Sequence, residues 1–179
     1  MSWKRWRRKR SSWGLGRLAG VCALLFLTCG AAALADKVKD LQDHFDRDPH
    51  AGSKVKSLEK LADAQFEAAG KAMQANDYSA VDLTFEKYRD NVRATLELLK
   101  KQEPDADRHP GGYRQLELQL RKGIRELEQT RVVAPMEMRP PLELVHKDLV
   151  EMDDELIRLL FPRRTKDPEK VPPAPEEKP

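Results

Sequence analysis

Residues 78–102 carry apolar side chains at alternating steps of three and four positions. This spacing returns to one side of an α-helix and does not fit the two-residue alternation of a β-strand. Because a lone amphipathic helix of this length is only marginally stable in water, the segment predicts a helix that buries its apolar face against others. The apolar stripe consists of Val81, Phe85, Tyr88, Val92, Leu96 and Leu99.

Three further segments show the same periodicity, over residues 53–75, residues 113–131 and a last stretch that opens at Pro140 or Pro141 and ends at Phe161. A shorter amphipathic stretch covers residues 36–47. Connections as short as Asn76-Asp77 force neighbouring helices to run antiparallel. The sequence therefore predicts an all-α fold, an elongated antiparallel bundle of about four helices with coiled-coil-like packing.

Polar, Gly and Pro residues divide these segments. Ser53 and Asp77 are predicted as N-caps of the helices that follow them, since both residue types accept hydrogen bonds from free backbone N–H groups. Residues 103–112 are predicted as a loop, and residues 132–139 as a linker, the only segment with strand character. Gly123 lies within a predicted helix, where it would let a neighbouring helix come close.

The first 35 residues differ from the rest of the chain. They hold seven basic residues and no acidic one, followed by an uncharged run over residues 18–35 that ends in Ala33-Leu34-Ala35. This order predicts a signal peptide cleaved after Ala35. Three alternatives stay open: a short retained membrane anchor, a lipoprotein acylated at Cys29, and an arginine-rich arm that binds nucleic acid.

The first 35 residues and the rest of the chain also differ in net charge. The whole chain has a net charge of +3, whereas residues 36–179 hold 26 basic and 30 acidic residues, a net charge of −4. We therefore expect no nucleic-acid partner. We expect an exported protein, periplasmic or secreted, or alternatively one anchored at the outer face of the inner membrane. Membrane contact is expected only through residues 18–35, if they are not cleaved. Both cysteines precede Ala35, so the mature chain would fold without a disulfide.

The domain boundaries follow from these patterns. Residues 1–35 form the predicted signal or anchor, residues 36–161 the helical domain, and residues 162–179 a tail with six prolines in 18 positions. Such a composition favours a disordered or polyproline-like segment, which would act as a spacer or as a docking peptide.

One hairpin resembles a known repeat. Residues 72–92, with Asn76-Asp77-Tyr78 followed by Val81, Phe85 and Tyr88, resemble the middle of a tetratricopeptide repeat. A second copy is absent 34 residues later, which argues against a repeat array. Residues 53–99 also resemble a helical hairpin of secreted or membrane-tethered bacterial proteins of unknown function. Both resemblances imply a helical hairpin, and neither implies a catalytic residue.

Two histidines and three aspartates lie within residues 43–50. Imidazole and carboxylate together suit Zn, Cu or Ni, so His44, Asp48 and His50 are the candidate metal ligands. No fixed ligand spacing is met, and the alternative is a solvated helix end with turn-forming aspartates.

Two more patterns could bear chemistry. Glu143 and His146 lie three residues apart, as in a di-iron bundle, but the step occurs once. An acidic run covers residues 151–155, where pairs such as Lys147–Glu151 and Asp154–Arg158 would form a solvated face.

The sequence holds no phosphate-binding glycine loop and none of the nucleophile or zinc-protease motifs. We therefore predict no enzyme and no cofactor. The predicted role is a non-catalytic interaction module with an unknown protein partner, presenting charged faces or a groove beside residues 78–99. The alternative is a periplasmic metal- or stress-sensing bundle.

Overall fold

A computed structural model describes residues 34–162, and within this range the chain is all-α. The all-α prediction is confirmed. The predicted signal segment, apart from Leu34 and Ala35, and the predicted tail, apart from Pro162, lie outside the described residues.

Five α-helices and one 3-10 helix make up this part of the chain. The short stretch before the four long helices forms a helix of its own, with one apolar side chain, Phe45, fully buried. The elements are α1 (34–47), α2 (Ala51–Gln74), α3 (Tyr78–Gln102), α4 (Pro110–Val133), the 3-10 helix (Met136–Met138) and α5 (Arg139–Leu160).

A tight turn joins α2 to α3. Asn76 adopts the left-handed conformation, with a φ of 58°, which asparagine tolerates better than most residues. The Asp77 side chain accepts a hydrogen bond from the Ala80 N–H at 3.1 Å, so the predicted cap is confirmed. The Ser53 cap is wrong. Helix α2 begins at Ala51, and the Ser53 hydroxyl donates to the Asp48 carboxylate at 2.5 Å.

Helix α4 is longer at both ends than the sequence predicts. Pro110 opens it, because proline in the first turn lacks only an N–H that has no intrahelical acceptor. Gly111 and Gly112 therefore lie in the helix and not in the loop. At the other end the helix continues to Val133, and the 3-10 helix follows, so the expected strand character of residues 132–139 is not seen.

The apolar stripe of α3 lies in the core. Each of its six residues exposes at most 1% of its surface. Helices α2, α4 and α5 contribute matching buried stripes, and Phe45 adds the contribution of α1. The largest of the other fully buried side chains are Tyr113, Leu58, Leu61, Leu116, Leu120, Leu127 and Leu142.

The four long helices pack as two hairpins. Helix α2 lies against α3, and α4 lies against α5. Across the hairpins, Lys122 of α4 pairs with Asp63 of α2 at 2.6 Å, and Lys100 of α3 pairs with Glu155 of α5 at 3.0 Å. Helix α3 also contacts α4 directly. Helices α3 and α4 thus form the short diagonal of the bundle.

Two glycines of α4 face α3 along this diagonal. A Cβ atom on Gly123 would overlap the Tyr88 ring, and one on Gly112 would lie 2.7 Å from the Leu99 side chain. The missing side chains let the two helices approach. The Tyr88 hydroxyl then reaches the backbone of α4 and donates to the Gln119 carbonyl oxygen at 2.8 Å.

We expect Gly123→Ala to destabilise the protein. Alanine has a higher helix propensity than glycine, but here its methyl group would displace Tyr88. Overpacking of this kind costs roughly 1–3 kcal/mol. Gly70→Ala is the matched control, since a Cβ there meets nothing within 4 Å, and we expect it to stabilise the fold by up to about 1 kcal/mol. Urea unfolding compares the two variants. Equal stabilisation by both would show that α3 and α4 are not in close contact.

We expect Leu96→Asp to lower the free energy of unfolding by more than about 3 kcal/mol, because it places an unpaired charge in a site that is 1% exposed. Leu144→Asp is the control on a side chain that is 66% exposed, and it should change stability little. Circular dichroism during thermal unfolding measures both. A small effect at Leu96 would contradict its burial.

Candidate functional site

Helix α1 is fixed to the α2–α3 hairpin by a pair of amide side chains. Gln42 donates to the Asn91 side-chain oxygen at 3.0 Å, and Asn91 donates back to Gln42 at 2.9 Å. One helical turn further along α1, Phe45 is buried, and the Lys54 ammonium lies 4.3 Å from the centre of its ring. These contacts give α1 a defined position on the hairpin.

A second amide closes the corner between α1 and α2. The Gln102 side-chain oxygen accepts from the Ala51 N–H at 2.8 Å, and its nitrogen donates to the Pro49 carbonyl at 2.7 Å. The first turn of α2 is thereby joined to the last turn of α3. No local sequence motif predicts this contact, because Gln102 lies 51 and 53 residues from its two partners.

The candidate metal ligands lie at this corner. The Asp48 carboxylate accepts from the His50 N–H at 3.2 Å, from Ser53 at 2.5 Å and from Ser57 at 3.4 Å. The hydrogen bond from Ser53 is the main reason that the pKa of Asp48 lies below its ordinary value. Asp48 therefore orders the start of α2.

The two histidines of the candidate site, His44 and His50, have exposed side chains. Within residues 34–162, no three His, Cys, Asp or Glu residues are grouped so that they could hold a metal ion. Metal binding by His44, Asp48 and His50 stays a prediction.

Glu143 and His146 line an open cavity of about 420 Å³ between α4 and α5. The His146 Nε2 atom lies 3.2 Å from a carboxylate oxygen of Glu128, which belongs to α4 and which the sequence pattern did not single out. The guanidinium of Arg139, at the same cavity, donates to the Ala134 carbonyl at 3.1 Å and so covers the end of α4. The contact between His146 and Glu128 thus joins α5 to α4 at this cavity.

The acidic residues 151–155 of α5 interact with several different neighbours. Glu151 lies 3.8 Å from Lys147, as the sequence predicts, and Asp153 lies 3.8 Å from Arg121 of α4. The predicted Asp154–Arg158 pair takes another form, because the Arg158 guanidinium donates to the backbone carbonyl of Asp154 at 3.1 Å. The run contributes to helix packing more than to a cluster of negative charge.

An apolar groove lies where α1 meets the hairpin, with a volume of about 280 Å³. Leu83 of α3 stands at this groove with 58% of its surface exposed. Gln65 of α2 also lines the groove and is only 2% exposed, and its side-chain oxygen has no hydrogen-bond partner within the described chain. The other lining residues are Ala35, Val38, Lys39, Gln42, Asp43, Ala68, Thr84 and Lys87.

Two half-buried carboxyl groups differ from Asp48 in the direction of their pKa shift. Burial raises the pKa of Asp82, and repulsion from Glu86 adds to the effect against attraction from Arg89. Burial likewise raises the pKa of Asp153, against attraction from Arg121. In both groups one carboxylate oxygen lacks a hydrogen-bond partner among the described residues.

These shifts predict opposite pH dependences for two substitutions. Above about pH 4 the ionised Asp82 carboxylate weakens the fold, whereas the ionised Asp48 carboxylate stabilises it and loses that effect as the pH falls. Relative to the unchanged protein, we expect Asp82→Asn to increase the free energy of unfolding at about pH 7 more than at about pH 3. We expect Asp48→Asn to decrease the free energy of unfolding at about pH 7 more than at about pH 3. Urea unfolding at the two pH values measures both. The same pH dependence in both variants would contradict the assignment.

Comparisons of the chain with protein-family models, with curated proteins and with solved structures find no significant match. Within residues 34–162, no helix is both long enough and apolar enough to span a bilayer.

Proposed function

We propose that this chain is an exported, non-catalytic protein-interaction module of the bacterial envelope, and that the groove formed by α1, α2 and α3 binds its partner. The observation that supports this proposal is the apolar side chain of Leu83, which is 58% exposed beside an apolar groove formed by α1 and the hairpin.

The groove has the two features that a protein ligand uses. Its apolar lining, with Val38, Ala68 and Leu83, offers surface whose burial would favour association. Its edge carries the exposed charged side chains of Lys39, Asp43 and Lys87, which can pair with polar groups of a ligand. A partner that inserts an apolar side chain beside Leu83 and presents charged groups to this edge would use both. A short amphipathic helix laid along α3 is the ligand of this kind that fits best.

The groove is preformed, which favours tight binding. The Gln42–Asn91 amide pair holds α1 against α3, and Gln102 holds the corner at the other end of α1. A partner would therefore not have to order this surface when it binds, and less binding free energy would be lost.

Export rests on the first 35 residues, whose basic start, apolar run and small residues before Asp36 are typical of a signal segment. The proline-rich residues 162–179 would then serve as a spacer or as a docking peptide outside the cytoplasm.

The groove is tested by Leu83→Asp in the full chain, cross-linked in its native envelope and recovered under denaturing conditions. We expect this variant to lose a defined cross-linked partner, because a carboxylate in the groove would have to be desolvated. Leu144→Asp is the matched control, since Leu144 is similarly exposed at 66% but lies on α5. Circular dichroism verifies that both variants fold. Retention of the partner by Leu83→Asp, or its loss from both variants, would contradict this binding surface.

A further inference from the structure

Three large apolar side chains are exposed to solvent at the connection between α4 and α5. Val132 exposes 78% of its surface, Val133 66% and Met136 77%. Single exposed apolar residues are common in soluble proteins, whereas three within five positions form a patch that indicates a binding surface. They belong to the last turn of α4 and to the 3-10 helix, so the backbone presents them in ordered secondary structure.

This patch lies at the end of the bundle that also holds the α2–α3 turn. Val133 and Met73, near the end of α2, line one cavity of about 210 Å³. The patch is thus level with the end of α2, and the α1–α2 corner and the α3–α4 loop lie at the opposite end.

Helix α1 begins toward the same end. Helix α1 runs antiparallel to α2, because only residues 48–50 connect the two and Ala35 at its start faces Gln65 and Ala68 in the second half of α2. From Ala68 to the end of α2 at Gln74 is about 9 Å along the helix axis. Leu34 and Ala35, the last two residues of the apolar run, therefore lie on the side of the exposed patch.

We infer that this end of the bundle lies against a lipid bilayer, with Val132, Val133 and Met136 in the headgroup region. The inference rests on the proposed export and concerns the form in which residues 18–35 are retained as an anchor. Apolar side chains partition into the boundary between headgroups and acyl chains. Arg131 and Arg139 flank the patch and suit lipid phosphates, and Glu128, Glu137 and Glu143 lie beside them, so the exposed apolar side chains and not the net charge carry the inference.

Two considerations favour a bilayer over a protein at this patch. Three side chains offer far less area than the roughly 1,000 Å² expected for a stable protein interface. They are also too few to hold the free bundle to a membrane. An adjoining anchor removes that difficulty, because it keeps the patch at a high effective concentration near the surface, where a weak contact persists.

The test introduces a photoreactive diazirine amino acid at position 136 of the full chain, in cells that export it with its own amino terminus. The matched control carries the same amino acid at position 118. Leu118 is 65% exposed, and it lies 14 residues before Val132 in α4, about 21 Å away along the helix axis. After irradiation, cross-links to labelled phospholipid are counted in the envelope fraction, and the amino terminus is determined by mass spectrometry.

We expect an intact amino terminus and at least a fivefold excess of lipid cross-links at position 136 over position 118. Equal labelling at the two positions, or cross-links from position 136 to protein alone, would overturn the membrane contact and leave the proposed function standing. A chain found in the envelope without residues 18–35 would have the same consequence. A chain found only in the cytosol would overturn the proposed function as well.

Discussion

The close approach of α3 and α4 determines how the other helices are arranged. Tyr88 lies against Gly123 and Leu99 lies against Gly112, and both pairs bring the same two faces together. The phenol of Tyr88 is fully buried, and its hydroxyl is satisfied by the hydrogen bond to the Gln119 carbonyl. With the two central helices in contact, α2 and α5 lie on their flanks, and α1 packs on the hairpin that α2 and α3 form.

Much of this fold could be predicted from periodicity. The stripe from Val81 to Leu99 identifies α3 with its ends, and Asp77 marks its start, because cap chemistry is local. The ends of α4 could not be predicted in the same way. Pro110, Gly111 and Gly112 have low helix propensity, yet they are helical where a proline suits the first turn and Leu99 needs the space beside Gly112. Tertiary contact outweighs local preference there.

The candidate sites were harder to predict. The histidines near Asp48 suggest a metal site because they are close together in the sequence. In the structure, however, the Asp48 carboxylate accepts hydrogen bonds from Ser53 and Ser57. The groove beside Leu83 depends on three helices, and its buried amide, Gln65, lies in no motif. One signal was present: Leu83 and Leu118 are apolar residues that lie off the core stripes of their helices, which indicates a surface that the bundle does not bury.

Gly112 and Gly123 are eleven residues apart, about three turns of helix. Adding or removing one residue between them would rotate one glycine by about 100° and bring a side chain to Tyr88 or Leu99 in its place. The length of α4 between these two positions is therefore under strict constraint. Changes in chain length should be better accommodated in the loop at residues 103–109, where no helix has to keep both glycines opposite α3.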